Sequence, residues 1–266
     1  MAELEVENLR LRFGGLTVLD GLTFAVEPAE LFALIGPNGA GKTSAFNCIS
    51  RIYRGDGRIR FRGLDISGLS SREVARLGIA RTFQHVELFL HMSVLDNIMT
   101  GRHARLVTNP LQQMLFLPAV RREEVQHRAA VERINEFVEL EGVRHAPAGA
   151  LPLGTQKVVG LARALALEPT LLLLDEPSAG LDPITAANLD RTILTLRKNL
   201  GVTFVVVTHE LQSIFTIADR AIMLDPHTRA IIADDAPTTL RDASTDARVH
   251  QFFNRQPDAL RAEGER

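Results

Sequence analysis

A chain of 266 residues, 45% hydrophobic and 23% charged, is ordinary for a folded globular protein and long enough for one large or two modest domains. A formal charge of −2 argues against a dedicated nucleic-acid binder, and the single cysteine, Cys48, excludes a disulfide framework and any multi-cysteine metal site. No apolar run reaches the ~18 residues of a membrane span, because Arg163, Glu168 and Asp175 break the longest ones, and the acidic, alternating Met1–Glu7 is unlike a signal peptide; a cytoplasmic protein is expected.

The first 35 residues read as strands. Val6, Leu9, Leu11 and Phe13 alternate imperfectly, Leu22–Val26 forms a second segment, and Leu31–Ile35 is a short apolar run that stops at Gly36. Lys42–Ile49 suits a helix, Arg58–Arg62 a short strand closed by Gly63 and Asp65, Ser71–Leu77 a helix and Ile79–Phe83 a strand. From about His85 to Ala150 the character changes. Val125, Ala129, Ile134, Val138 and Leu140 recur at roughly helical spacing among charges, which predicts an inserted helical subdomain. Leu171–Leu174 and Val202–Val207 are apolar or β-branched throughout, as buried parallel strands are, with helices over Pro183–Leu200 and Glu210–Ala218. Strand and helix alternate, so the fold class expected is α/β with a mostly parallel sheet carrying the helical insert. The divisions are 1–84 for the β-subdomain and first part of the core, 85–150 for the insert, 151–240 for the second part of the core, and 241–266 for a C-terminal tail whose last ~12 residues are expected to fray.

Of the 30 basic residues only three are lysines, Lys42, Lys157 and Lys198, so each is worth inspecting. Lys42 falls in Gly36-Pro37-Asn38-Gly39-Ala40-Gly41-Lys42-Thr43, which fits G-x-x-x-x-G-K-[ST] directly after a strand and at the start of a helix, with Ser44 next in line. Glycines let backbone N–H groups turn inward around phosphate oxygens, and the helix start adds favourable partial charge. Lys42 is placed for the β- and γ-phosphates and the Thr43 hydroxyl for Mg²⁺. At this chain's own residue frequencies the pattern arises by chance about once in 10³ such chains. Asp175 and Glu176 end the run Leu171–Leu174 at the strand edge where open parallel sheets bind ligands. There Asp175 can hold Mg²⁺ through its water shell and Glu176 can polarise an attacking water. His209 ends Val205–Thr208 at the same edge. A lone histidine at a strand end is commonly structural, but beside these carboxylates the favoured role is a hydrogen bond to the γ-phosphate and to the water.

Taken in order, these residues resemble the ATP-binding cassette of ABC transporters. The resemblance spans roughly residues 4–240 and matches Phe13 to the adenine platform, Gly36–Thr43 to the P-loop, Gln84 to the Q-loop, Leu151–Lys157 to the signature, Leu171–Glu176 to Walker B, Ser178–Asp182 to the D-loop and His209 to the H-loop. It implies a P-loop NTPase core on the mostly parallel sheet with an N-terminal antiparallel β-subdomain, ATP and Mg²⁺ as cofactors, and a head-to-tail dimer of cassettes, like or unlike, in which each ATP lies between one P-loop and the opposite signature. It also implies transmembrane permease subunits as partners, a peripheral location at the cytoplasmic face of the inner membrane, Gln84 on Mg²⁺ and water, and Asp182 and Gly154 close to nucleotide. The signature departs from Leu-Ser-Gly-Gly-Gln: Pro152 stands where the family has serine and cannot donate a hydrogen bond, leaving Gly154 and the helix expected to begin near Thr155 to supply backbone N–H groups.

The two halves resemble different subfamilies. Phe13–Leu16, Arg81–Gln84 and Leu88–His103 are similar to branched-chain amino-acid importer cassettes, whereas Asp182–Thr185, Leu200–Thr203, Ile217–Arg220 and Asp246–Phe252 are closer to phospholipid-trafficking cassettes, whose C-terminus docks a small regulatory subunit. Branched-chain import is the preferred reading, with phospholipid trafficking second and a soluble cofactor-assembly ATPase as the alternative of another class. Several residues keep two readings. Phe13 is an adenine platform or plain strand core; Lys157 is part of the signature segment or an exposed helix residue. Arg51, Arg54, Arg58, Arg60 and Arg62 read as a solvated face, and the scattered histidines as surface or helix-packing residues.

Overall fold

The computed structural model of the protein describes residues 1–82, 87–106, 114 and 118–254. The chain forms two compact units, Met1–Gly68 with the chain from Thr203 onward, and Leu69–Val202.

The first unit opens with β1 (Leu4–Phe13), β2 (Leu16–Val26), β3 (Leu31–Ile35), α1 (Lys42–Ile49), β4 (Asp56–Phe61) and β5 (Leu64–Asp65). β1 pairs antiparallel with β2 on one edge and β4 on the other, in the sheet order β2-β1-β4-β5. The imperfect alternation of β1 has a definite cause. Leu4 and Val6 are buried at even positions but Leu9 and Leu11 at odd ones, because the register shifts between Val6 and Leu9, where Asn8 has φ 49°. One inserted residue reverses which parity faces inward. Opposite Glu5 and Glu7 on β4 lie Arg60 and Arg58, and Arg60 reaches both carboxylates, at 3.3 and 2.6 Å. The arginine face is therefore paired with the acidic start of the chain. Arg51 does not belong to that face at all; it is buried and its guanidinium donates to the Ser67 carbonyl.

The second unit contains α2 (Ser71–Leu77), β6 (Ile79–Arg81), α3 (Val94–Thr100), α4 (Pro118–Phe137), α5 (Leu153–Leu165), β7 (Leu171–Asp175) and α6 (Pro183–Leu200). α2 starts at a capping box, Ser70 accepting from the Glu73 N–H while Glu73 reaches back to the Ser70 N–H. β6 runs parallel to β7, with Ile79 opposite Leu171 and Arg81 opposite Leu173. Between these strands the regular elements among the described residues are helices, and α3 packs on α4 and α5. The buried stripe of α4 is not the one its apolar residues suggest. Val125 and Ala129 face outward, while His127, Ala130, Val131 and Asn135 are buried. His127 accepts at Nδ1 from Arg102 Nε at 3.0 Å, so two polar residues occupy the inward face and hide it from a hydropathy pattern.

The chain then returns to the first unit with β8 (Thr203–Val207), α7 (Leu211–Ile217), β9 (Arg220–Leu224), β10 (Ile231–Asp235), α8 (Pro237–Ala243) and α9 (Ala247–Phe253). β3 lies between β8 and β9, parallel to both, and β10 is antiparallel to β9. All five residues of β3 and all five of β8 are buried. At about 1.5–3 kcal/mol for each fully buried large side chain, strands covered on both faces explain their uninterrupted apolar runs. The segment read as a tail from residue 241 is helical over Ala247–Phe253, and Val249 and Phe253 join the core of Ala33, Ile35, Ile214 and Met223. The architecture is thus α/β, with an antiparallel N-terminal sheet and mostly parallel strands elsewhere.

Candidate functional site

In the first unit the loop after β3 closes round a lysine. Gly36 follows Ile35 with φ 139°, and a Cβ there would run into the Leu224 carbonyl oxygen. Gly41 has φ 99°, and a Cβ would lie 2.6 Å from Leu19 Cδ2 and 3.0 Å from the Val18 carbonyl. Both positions demand glycine for conformation and for space. Ala40 is buried, Pro37, Asn38, Gly39 and Thr43 are exposed, and Ser44 is half-buried. The Lys42 ammonium donates to the carbonyls of Gly36 at 2.7 Å and Pro37 at 3.0 Å, so the loop curls over its own cation. The start of α1 carries neither a side-chain cap nor an acidic residue, leaving its first N–H groups turned to the loop.

The same unit carries two other residues singled out in the sequence. Phe13 at the end of β1 is 48% exposed and meets Tyr53 edge-on, with centroids 5.2 Å apart. That exposure rules out the strand-core reading. His209, two residues beyond β8, is exposed, while its neighbour Thr208 is buried and accepts from the Glu210 N–H.

In the second unit Asp175 is the last residue of β7 and is buried. Arg81, ending the neighbouring β6, donates from Nη2 to Asp175 Oδ2 at 2.8 Å, and both side chains are nearly inaccessible. Glu176 follows with φ 48°, left-handed backbone that costs a non-glycine residue of order 1–3 kcal/mol. Its carbonyl accepts from the Ala179 N–H at 3.2 Å and from Lys157 Nζ at 3.1 Å. Lys157 is therefore not an exposed helix residue. Burial lowers its pKa from the usual lysine value, and the nearby Glu176 charge opposes that shift.

The signature helix also starts earlier than expected. α5 begins at Leu153 rather than near Thr155, with Pro152 as an N-cap that offers no side-chain bond. Gly154 in its first turn faces Thr185 Cγ2 closely, so a Cβ there would force the Thr185 side chain to move. Asp182 caps α6, accepting from the Ile184 and Thr185 N–H groups at 3.1 Å each, with Pro183 as the first helical residue. The Thr185 hydroxyl bond, followed by these amides, holds the Asp182 carboxyl below the usual range. Gln84 lies outside the described residues.

Sequence reasoning passed over Arg81 and Lys157 as chemical participants. The scarcity of lysine was the signal for one; the other had none, since its partner lies 94 residues away.

A family model described as ABC transporter matches residues 19–179. Over 240 residues the chain is 37% identical to the high-affinity branched-chain amino acid transport ATP-binding protein BraF of Pseudomonas aeruginosa, covering 90% of this chain and 93% of that one. The chain belongs to the ABC transporter family. This ABC cassette is also 35% identical over 243 residues to the corresponding ATP-binding protein LivG of Escherichia coli strain K12. Among solved structures, a nucleotide-free ATP-binding cassette from an ABC transporter has a TM-score of 0.82 at 28% identity, covering 95% of this cassette and 99% of that chain. A cassette in its ADP conformation matches equally, with TM-score 0.82 over 96% and 99%. The cassette is an ATP-binding α/β ATPase of that family.

Proposed function

We propose that this cassette powers an importer of branched-chain amino acids, working as a dimer of cassettes at the cytoplasmic face of the inner membrane beneath transmembrane permease subunits. The observation that carries the solute is the 37% identity to BraF across nearly the full length of both chains. Among the described residues no helix is long and apolar enough to cross a membrane. In this reading the insert over residues 85–150 receives the permease and Gln84 is the hinge to it.

The chemistry follows from the two units. Phosphate oxygens replace the Gly36 and Pro37 carbonyls as partners of the Lys42 ammonium, and the uncapped N–H groups opening α1 add further donors. The exposed ring of Phe13 offers a face to the adenine. The donor set suits Mg²⁺: a hydroxyl from Thr43 and a carboxylate from Asp175 are hard oxygens. Among the described residues no group of three or more His, Cys, Asp or Glu could hold a metal ion by itself. When bound, Mg²⁺ supplies neutralisation of the phosphate charge. Glu176 then accepts the proton of the attacking water, and Gln84 and His209 orient that water. Gly154 and Asp182 serve the nucleotide across the dimer.

Reconstitution with transmembrane permease subunits tests the reading. ATP-dependent leucine uptake is the expected result. Phospholipid transfer without leucine uptake would overturn the solute, and ATPase activity that no permease alters would overturn the transport role.

A further inference from the structure

Lys157 is one of only three lysines in the chain, and it stands on the helix that carries the signature turn. It sits one turn beyond Gly154, half-buried, and its ammonium reaches not a carboxylate on the surface but the main-chain carbonyl of Glu176, at 3.1 Å. That carbonyl belongs to a residue in left-handed backbone, immediately before Pro177 and after the buried Asp175–Arg81 pair. A glutamate gains nothing intrinsic from φ 48°; surrounding contacts must over-determine it. Three contacts act on it: Arg81 fixes the preceding side chain, the Ala179 N–H bonds the Glu176 carbonyl from the following turn, and Lys157 bonds the same oxygen from α5. Of these, only Lys157 brings a formal charge to the Glu176 peptide, and the carboxylate of Glu176 is near enough to act on that charge in return.

We propose that Lys157 is a positioning residue for hydrolysis: from the signature helix it holds the Glu176 peptide in its left-handed conformation and so aims the Glu176 carboxylate at the attacking water. This rests on the reading of Glu176 as the base. Lys157 acts through the Glu176 peptide, so its loss is expected to act on turnover and not on ATP binding. An amide carbonyl is a neutral acceptor and the donor is charged, which makes the bond stronger than the ordinary turn bond from Ala179. Burial leaves little water to replace it.

The test uses the full-length cassette reconstituted with its permease subunits, and reads kcat and KM for ATP, the affinity for a fluorescent ATP analogue with Mg²⁺, and the thermal midpoint. Lys157→Met, of similar length without a donor, is expected to lower kcat about tenfold with KM and analogue affinity within about twofold. Lys157→Arg keeps a charged donor and is expected to recover kcat to within about threefold of the parent. An unchanged kcat in Lys157→Met overturns the proposal. So does a loss in which KM rises in step and the thermal midpoint drops, or one that Lys157→Arg does not relieve, since those mark general packing. Should Lys157→Met not fold, Lys157→Leu, which also lacks a donor, is read by the same criteria. Glu176→Gln separates the two layers: normal turnover in that variant overturns the reading of Glu176 itself, whereas abolished turnover beside an unaffected Lys157→Met overturns only the role of Lys157.

Discussion

The glycine loop after β3 and the acidic turn after β7 both present charge at the end of a buried parallel strand, yet they are built by opposite means. The loop uses residues contiguous in sequence, and its unusual backbone angles fall on Gly36, Gly39 and Gly41, where they cost little. Its lysine is held by carbonyls five and six residues away. The acidic turn places its left-handed angle on Glu176 and holds the turn with partners 94 and 19 residues distant. In the proposed reading, the locally encoded half is the one that binds phosphate. A half assembled from remote partners can be set or disturbed by movements elsewhere in its own unit, which is where control over hydrolysis is best placed.

The contrast can be broken most severely at Gly36. Gly36→Ala adds a Cβ against the Leu224 carbonyl at φ 139°, so stability should fall by about 3 kcal/mol and binding of a fluorescent ATP analogue should be lost. Retained binding would show the loop to be less locked than its angles indicate. Next comes Arg81→Met, which removes a buried partner from Asp175 and should cost about 3 kcal/mol in urea unfolding. Adding Asp175→Asn to Arg81→Met should recover part of that loss, a coupling that a double-mutant cycle reads directly.

A smaller effect is expected at the signature turn. Pro152→Ser supplies both the missing hydroxyl and a side-chain cap for α5, so steady-state ATPase should rise severalfold while stability gains about 0.5–1 kcal/mol. An unchanged or lower rate would count against a weakened trans contribution. The smallest effect is expected at Asp225, just after β9, where Arg248 of α9 donates to its carboxylate at 3.0 Å. Burial pushes the Asp225 carboxyl up, but bonds from Thr228 and the charge of Arg248 outweigh it and leave its pKa below the usual value. A carboxylate depressed in the folded state stabilises above its unfolded pKa and loses that contribution as pH falls through the folded value. Thermal midpoints should therefore decline in acid, and Asp225→Asn should flatten that decline between the usual carboxylate pKa and more acidic pH.

How much was legible differs residue by residue. Helix α1, helix α2 and helix α6 begin and end where their sequence signals place them, because a glycine N-cap, a Ser70–Glu73 capping box and Asp182-Pro183 are local devices. Strand β3 is equally plain, since burial on both faces leaves no polar interruption. The inward face of α4 was not legible: His127 is buried because Arg102 meets it, and nothing near residue 127 announces that bond. Nor was the early start of α5, where Pro152 caps without a side-chain signal. The helix at Ala247–Phe253 escaped for a related reason; a short apolar pair in a charged segment becomes core only when Ile214 and Met223 stand opposite.

The amino-acid string alone specified the family, the phosphate cradle and the acidic strand end, because each rests on neighbours along the chain whose spacing is their geometry. Folding alone decided that Glu176 takes a left-handed turn, that Arg81 neutralises Asp175, and that Lys157 faces a peptide rather than solvent. Those are encounters between distant segments, and periodicity carries no record of which segment a side chain will meet.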